Sequence, residues 1–583
     1  MPSNNNVSVH PLPPTPSPTC EGEFNNSLFH KAPSPLVGEG WGEGCERLHK
    51  NNDPSLSSLS SLIPPCNAPV RWRREFLTSA GLAWVIALAL LILPLVTYWN
   101  TTFHHFGFRD DYSNLSEAHD QPGKIIHFIA SHGRPVYGFL LEYSFGWTDS
   151  IQELEWLRLA GAIGLGLVAA FLFRILRRRG WSLATAAFTT AMVSLTPAAQ
   201  VIASWATVWP YTVAALLSLS GFVLADSASQ GRQGFRWAGA MLLMTLAALV
   251  YQPTGLFYCV GIAAALPDRR GRPWRENLRW TGVHLSMVCA GLAAAFLIVK
   301  ALYLTGMFEA SARIAFEHDP FGKFWWFVRE PLPNALSLLV LNDDDGSTRA
   351  AYMASVGIMA ALLAVGLGVE WRRRGSRAGG FWLMLLALLS LAAYSVNLVV
   401  ADRYASYRTT FALTGVLLIF LTLSWINLCS LAGRKGPWIE GAGYVVALVL
   451  AVYTARFHAF ALIAAPQSAE LQIIQNTAER VAPRNRPIRI YFVQPSLADS
   501  PAAIAYHDEF GSLSTNNDWM SKEIFDEFMR EHFPTLPDRE QCYEMQTGYG
   551  PPPPDKPFDF VIDMRKLKQS GAPDAGLYLG KVP

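Results

Sequence analysis

The chain has 583 residues, of which 51% are hydrophobic and only 16% charged, against about 25% charged in an ordinary soluble domain. That balance excludes a purely soluble globular protein. The formal net charge of +2 says little about partners, and nucleic acid is not expected among them. The charge deficit is concentrated in apolar runs of roughly 18–25 residues, long enough to cross a bilayer.

Residues 1–70 are rich in Pro, Ser, Gly and Asn and carry almost no periodic apolar pattern, so they read as a disordered low-complexity tail. The start is too polar for a secretory signal; a dispensable, translated upstream segment is the expectation. Arg71-Trp72-Arg73-Arg74 then precedes an apolar run from about Leu77 to Trp99. Basic residues before a first span hold that end in the cytoplasm, which makes this run an uncleaved signal anchor.

Ten further runs follow, at roughly 156–176, 182–200, 205–226, 237–250, 252–267, 280–304, 350–370, 380–400, 409–431 and 439–462. Eleven spans are therefore expected. Basic clusters at Arg174–Arg179, Arg232 and Arg236, Arg269–Arg275, Arg372–Arg377 and Arg434–Lys435 all fall on one side of that topology, as the positive-inside rule requires. Pro and aromatic residues near Trp205–Tyr211 and Tyr251–Pro253 predict broken or half-inserted helices. The segments left outside are a loop at about 100–155, a second at about 305–349, the turn Ala401–Arg408 and everything after about 463.

The first outer loop carries Phe108-Arg109-Asp110-Asp111-Tyr112, then the amphipathic stretch Lys124–Gly138 with Gly133-Arg134-Pro135, which is expected to lie along the membrane surface. Asp110 or Asp111 is placed to take a proton from an acceptor hydroxyl or to hold a divalent cation; a solvated loop with an Asp cap is the bland alternative. His104 and His105 lie close by, so Asp110, Asp111 and His105 are the candidate metal ligands, with Mg or Mn as the ion. In the outer turn, Arg403 and Arg408 run against the positive-inside trend, which suggests an anion holds them; snorkelling beside Asp402 is the alternative. Lys300, near the outer end of a span, is a similar candidate. The aromatic segment Phe321–Arg329 fits a headgroup-layer belt.

The C-terminal region reads as soluble. Ile488–Val493 and Phe558–Asp563 predict strands, Lys522–His532 a helix with Ser521 as its N-cap, and Pro551–Pro554 a stiff linker. Seven cysteines fall in the tail, in or near apolar runs, and once, as Cys542, in this region, where one cysteine closes no internal disulfide. No nucleotide-binding glycine pattern, nucleophile elbow or P-loop is present.

A basic start, one span, an outer loop with an acidic pair and a surface helix, about ten more spans and an outer C-terminal domain resemble the GT-C glycosyltransferases. Phe108-Arg109-Asp110-Asp111-Tyr112 followed by Gly133-Arg134-Pro135 looks closest to the phage-type O-antigen glucosyltransferases. The resemblance covers roughly residues 71–462 and implies a sugar donor carried on polyprenyl phosphate, with an acid in the first outer loop acting as base or metal ligand. It makes Arg403, Arg408, Lys300 and Arg134 candidates for the donor phosphate. The expected fold is thus an all-α polytopic membrane protein with a small extracytoplasmic α/β domain at 463–583. The expected function is hexose transfer from a polyprenyl-phosphate donor to a glycan or lipid acceptor, on the outer face of a bacterial inner membrane. A glycolipid flippase or an envelope scaffold is the rival reading; carboxylate-poor spans and the lack of an internal repeat argue against a transporter.

Overall fold

The first apolar run forms α1 (Val70–Thr102) in the computed structural model, which describes residues 70–583 apart from 232–233, 312–314, 345, 347, 481–485, 497–498, 503, 507–508, 535–541, 568–576 and 580–583. The tail at 1–69, Arg232 and Asp345 lie outside the described residues. After α1 the loop at about 100–155 folds into three short helices, α2 (Asp110–Asp120), α3 (Lys124–Ser131) and α4 (Pro135–Phe145). The expected surface helix over Lys124–Gly138 is thus two helices. Gly133 takes φ 78° and Pro135 opens α4 at its first turn, so the chain turns between them.

α5 (Leu154–Arg178) is the central span. Its small residues let neighbours approach closely, the usual basis of helix packing in a membrane. A Cβ on Gly161 would meet the Ile202 carbonyl oxygen at 2.7 Å, and one on Gly166 would run into the backbone of Leu91 in α1. Arg158, fully buried near the start of α5, donates to the carbonyls of Thr102 (3.0 Å), Phe106 (2.8 Å) and His104 (2.7 Å). The Thr102 carbonyl is one that the end of α1 leaves unpaired and the other two belong to the loop beyond it, so one arginine both caps that helix and shapes the loop.

α6 (Leu183–Val193) and α7 (Pro197–Ser204) form a pair bent by 56°. The chain breaks at Trp205 into a 3-10 turn, Ala206–Val208, and resumes as α8 (Tyr211–Gln230). α9 (Gly234–Gly255) is interrupted at Tyr251, where φ −155° and ψ 108° precede Pro253. Both breaks fall where Pro and aromatics predicted them. α10 (Tyr258–Ala264) and α11 (Leu266–Arg269) are short, and α12 (Trp274–Leu304) is a long apolar helix. The loop at about 305–349 holds α13 (Pro320–Arg329) and α14 (Pro331–Leu336). Next come α15 (Arg349–Arg374), α16 (Ser376–Ala392), α17 (Ser395–Val399), a 3-10 turn at Tyr407–Thr410, α18 (Phe411–Cys429) and α19 (Gly436–Phe457). A π-helical turn, His458–Ala464, leads from α19 into α20 (Ala465–Arg480).

Among the described residues seven segments are long and apolar enough to cross a membrane, or eight if α6 and α7 make one span. The expected count of eleven is thus not confirmed, and each difference has a local cause. The run near 252–267 is cut by the Tyr251 kink, leaving the seven residues of α10. α16 has 17 residues and is too short. The stretch Tyr407–Asn476 counts once but holds two helices: the chain turns back at Gly433, so that Trp425 of α18 meets Glu440 of α19 (3.4 Å).

The ends of these helices differ in chemistry. Arg179 at the end of α5 pairs with Asp226 of α8 and with Asp268 (3.2 Å), and Arg270 with Glu370 of α15 (3.6 Å). The basic clusters thus gather at one end of the bundle. Along α12, Glu276 at that end and Lys300 at the other lie about 36 Å apart at 1.5 Å per residue, more than the hydrocarbon thickness of a bilayer.

The C-terminal strands are β1 (Ile488–Val493), then, after α21 (Met520–His532), β2 (Tyr543–Gly548), β3 (Phe560–Asp563) and β4 (Leu577–Leu579). They form one sheet in the order β2-β1-β3-β4. β1 runs parallel to β2 and β3, and β4 pairs antiparallel to β3. The two predicted strands are β1 and β3; α21 supplies the crossover that a parallel β1–β2 pair requires. Ser521 is not the N-cap of α21: that position belongs to Trp519, and Ser521 is buried in the first turn. The chain divides into two units, Met1–Glu75 and Phe76–Pro583, so the sheet and α21 belong to the same unit as the spans.

Candidate functional site

Asp110 and Asp111 open α2, and their side chains do different things. Asp111 is fully buried. Its Oδ2 accepts from the backbone N–H of Phe108 (2.9 Å), and its Oδ1 from the N–H (2.8 Å) and hydroxyl (2.6 Å) of Thr207. Burial raises its pKa to about 6, against the lowering pull of these donors and of Arg158. Thr207 also accepts from Asn114 Nδ2 at its hydroxyl (3.0 Å) and from the Tyr137 hydroxyl at its carbonyl (3.0 Å). Asp111 therefore staples the loop after α1 to the 3-10 turn at Ala206–Val208.

Asp110 instead lines a cavity of about 1040 Å³ enclosed by α2, α3, the two helix breaks, α12, the turn at Tyr407–Thr410 and the start of α21. The residue before it, Arg109, has φ 48°, a region non-glycine residues enter at a cost of about 1–3 kcal/mol. It is held there by bonds from its N–H to Ser514 Oγ (2.9 Å) and from its guanidinium to Ser512 Oγ (3.0 Å).

Three of the four cations expected to meet a donor phosphate line this cavity: Arg134, Lys300 and Arg408. Arg408 lies over the Trp205 ring (4.2 Å), donates to the Tyr404 hydroxyl (2.9 Å) and interacts electrostatically with Asp110. The turn that carries it is held by the buried Glu509, whose carboxylate accepts from the Ser406 hydroxyl and from the N–H groups of Tyr407 (2.8 Å) and Arg408 (3.1 Å). Arg134 lies over the Tyr251 ring (4.7 Å) and donates to Gln252 Oε1 (3.0 Å).

Arg403 is not brought to the cavity. Phe316 and Val400 pair as a short antiparallel bridge, which sets Arg403 beside Glu317 (3.8 Å) and Asp319 (3.7 Å). Those carboxylates answer its charge outside the site. His105 and His104 do not line the cavity either; burial and Arg158 hold both below the usual imidazole pKa. Among the described residues no three His, Cys, Asp or Glu side chains come together as a metal-binding group. The expected set of Asp110, Asp111 and His105 does not fit a cation, because both Asp111 oxygens already face protein donors.

The sequence reading missed Trp205, Tyr211, Tyr251 and Gln252 as cavity residues, although it flagged their segments as broken helices. Backbone breaks in a span are tolerated where they line a cavity, and that was the usable signal. Tyr211 and Tyr251 stack at 3.6 Å between ring centroids across the two breaks. Glu509, Asn517, Trp519 and Glu523 left no signal, since nothing in their spacing ties residues near 515 to residues near 110.

No protein-family model matches the chain, and no curated protein does. Among solved structures it is similar to one titled Archaeoglobus fulgidus oligosaccharyltransferase in complex with zinc and sulfate. The identity is 13% and the TM-score 0.34, over 70% of this chain and 59% of that one.

Proposed function

We propose that the protein is a membrane glycosyltransferase that moves a sugar from a polyprenyl-phosphate carrier to a hydroxyl acceptor, with Asp110 as the base. The observation that carries this reading is that Asp110 shares a cavity with Arg134, Lys300 and Arg408, and that the apolar helix α12 walls it on one side. An apolar wall suits the lipid chain of the donor. Fixed cations suit its phosphate, which gains charge as it leaves. The buried Trp205 indole N–H has no acceptor among the described residues, and an anionic oxygen beside Arg408 would supply one.

The chemistry follows from those groups. Asp110 takes the proton of the acceptor hydroxyl as its oxygen attacks the anomeric carbon of the donor sugar. The bond from that carbon to the phosphate oxygen breaks, and the electron pair leaves with the phosphate, where Arg408, Arg134 and Lys300 stabilise it. Asp111 takes no part; it holds the loop on which Asp110 rides. Arg403 is set aside as a phosphate ligand, being paired elsewhere. Basic clusters at the far end of the bundle support, by the positive-inside rule, a cavity that faces away from the cytoplasm; on the outer face of a bacterial inner membrane nucleotide sugars are absent, and a lipid-borne donor is the available kind.

The test supplies the full chain in lipid with a panel of labelled polyprenyl-phosphate sugars and an envelope acceptor fraction. Transfer by the wild type, abolished in Asp110→Asn and in Arg408→Ala, is expected. A folded wild type that transfers no sugar from any donor, or an Asp110→Asn variant with full activity, overturns the reading in favour of glycolipid translocation or a scaffold.

A further inference from the structure

The cavity has two ends of opposite character. Toward α12 the wall is apolar, with Leu292, Phe296 and Val299. Toward α2 it is polar and is built by two helices packed on each other, α2 and α21. α2 contributes Ser113 and Glu117 beside Asp110; the start of α21 contributes Glu523, and the turn leading into it Asn517 and the N-cap Trp519.

Trp519 is 46% exposed although it is the largest apolar side chain on this face. Indoles left half open at the mouth of a polar cavity are a feature of binding surfaces, offering a flat apolar face and one polar atom. Trp519 and Glu523 are four residues apart across the first turn of α21, so their side chains share a face. The loop before them is rigid. Buried Glu470 accepts from the N–H groups of Ser514 (3.0 Å) and Thr515 (2.9 Å), and Gln467 Oε1 from the Ser514 hydroxyl (2.6 Å). That same Ser514 oxygen accepts from the N–H of Arg109. The segment carrying Trp519 is thus bonded to the residue adjoining Asp110, which ties the position of the indole to that of the carboxylate.

We infer that Asn517, Trp519 and Glu523 form a subsite for the acceptor, and that the acceptor there is a carbohydrate and not a lipid. A pyranose ring has an apolar C–H face and an equatorial rim of hydroxyls. The face stacks on Trp519, and the hydroxyls bond to the Asn517 amide and the Glu523 carboxylate, a few placed polar groups around an aromatic surface. One further hydroxyl is then directed at Asp110. This inference names the acceptor class for the proposed transferase and rests on that reading.

The experiment measures binding of free maltotriose, mannotriose and chitotriose to the full chain in nanodiscs by saturation-transfer NMR, beside the transfer assay. At least one trisaccharide is expected to bind. Trp519→Ala weakens it about tenfold or more, as truncation of a central aromatic anchor does, while Trp519→Phe keeps most of it. Glu523→Gln weakens it, Asp518→Asn, an exposed neighbour outside the cavity, leaves it unchanged, and Asp110→Asn still binds. Binding of none of the three, or binding and transfer that ignore Trp519→Ala, overturns the subsite. Trisaccharide binding lost in Trp519→Ala with no sugar transfer from any donor supports the subsite while sinking the transferase reading, so the two failures are distinguishable.

Discussion

At the scale of single residues, two adjacent aspartates give opposite expectations. Asp111 accepts from three donors in a buried pocket. An amide in its place turns an N–H₂ group toward at least one of them, so Asp111→Asn loses about 1–3 kcal/mol of stability. Asp110 lines open space, and Asp110→Asn leaves the unfolding midpoint within about 0.5 kcal/mol of wild type while cutting transfer by about 10²–10⁴-fold. Thermal unfolding and initial rates, measured on the same preparations, separate the two; equal effects on both properties would merge their roles. Asp111 also sets a pH dependence. Burial lifts it from an ordinary 3.8 to about 6. Between those values the folded state keeps a proton that the unfolded state has released, so this group favours folding most at low pH, and its contribution is lost as pH rises through about 6. The stability of wild type relative to Asp111→Asn is expected to decline from about pH 4 to about pH 7 in denaturant titrations. A rise over that range would mean the Thr207 and Phe108 donors hold the ionised form more strongly than burial opposes it.

At the scale of elements, the cavity depends on turns held by buried carboxylates from elsewhere in the chain. Glu509 lies beyond the last span yet holds the turn of Arg408, just as Glu470 holds the loop of Ser514. Glu509→Ala strands three donors, from Ser406, Tyr407 and Arg408, and costs about 1–3 kcal/mol for each one left without water. Glu509→Gln is the more informative change, because it keeps an acceptor and the shape. If the carboxylate positions Arg408 for the donor, Glu509→Gln raises KM for the polyprenyl-phosphate sugar and leaves the KM of the acceptor alone. A variant that is merely less stable, with both constants unchanged, would reduce Glu509 to a structural tie.

At the scale of the whole molecule, the region after residue 463 behaves as part of the membrane unit. Tyr506 donates to the Ala405 carbonyl (2.7 Å) and accepts from Asn334 Nδ2 (3.0 Å), and the Oδ1 of the same Asn334 accepts from the Tyr352 hydroxyl of α15 (2.7 Å). Together with Glu509 these bonds join the C-terminal region to both the second outer loop and the Tyr407–Thr410 turn. A chain cut after Ala464 is therefore expected to lose its monodisperse size-exclusion peak in detergent. A sharp peak with retained donor binding would show instead that the region is an appended domain.

What the sequence determined by itself is what local chemistry dictates. Apolar length marked the spans, Pro and aromatics marked the breaks at Trp205 and Tyr251, and short runs of β-branched and aromatic residues marked β1 and β3. The first outer loop stood out because Asp110 and Asp111 are adjacent charges beside a span. Which of the two aspartates faces the cavity was undecidable from sequence, since adjacent residues on a helix point about 100° apart and only packing says which way is in. The pairing of Arg403 with Glu317 and the arrival of Trp519 and Glu523 beside α2 were likewise decided by tertiary structure. Each depends on contacts between residues tens to hundreds of positions apart, and neither periodicity nor propensity carries information over that distance.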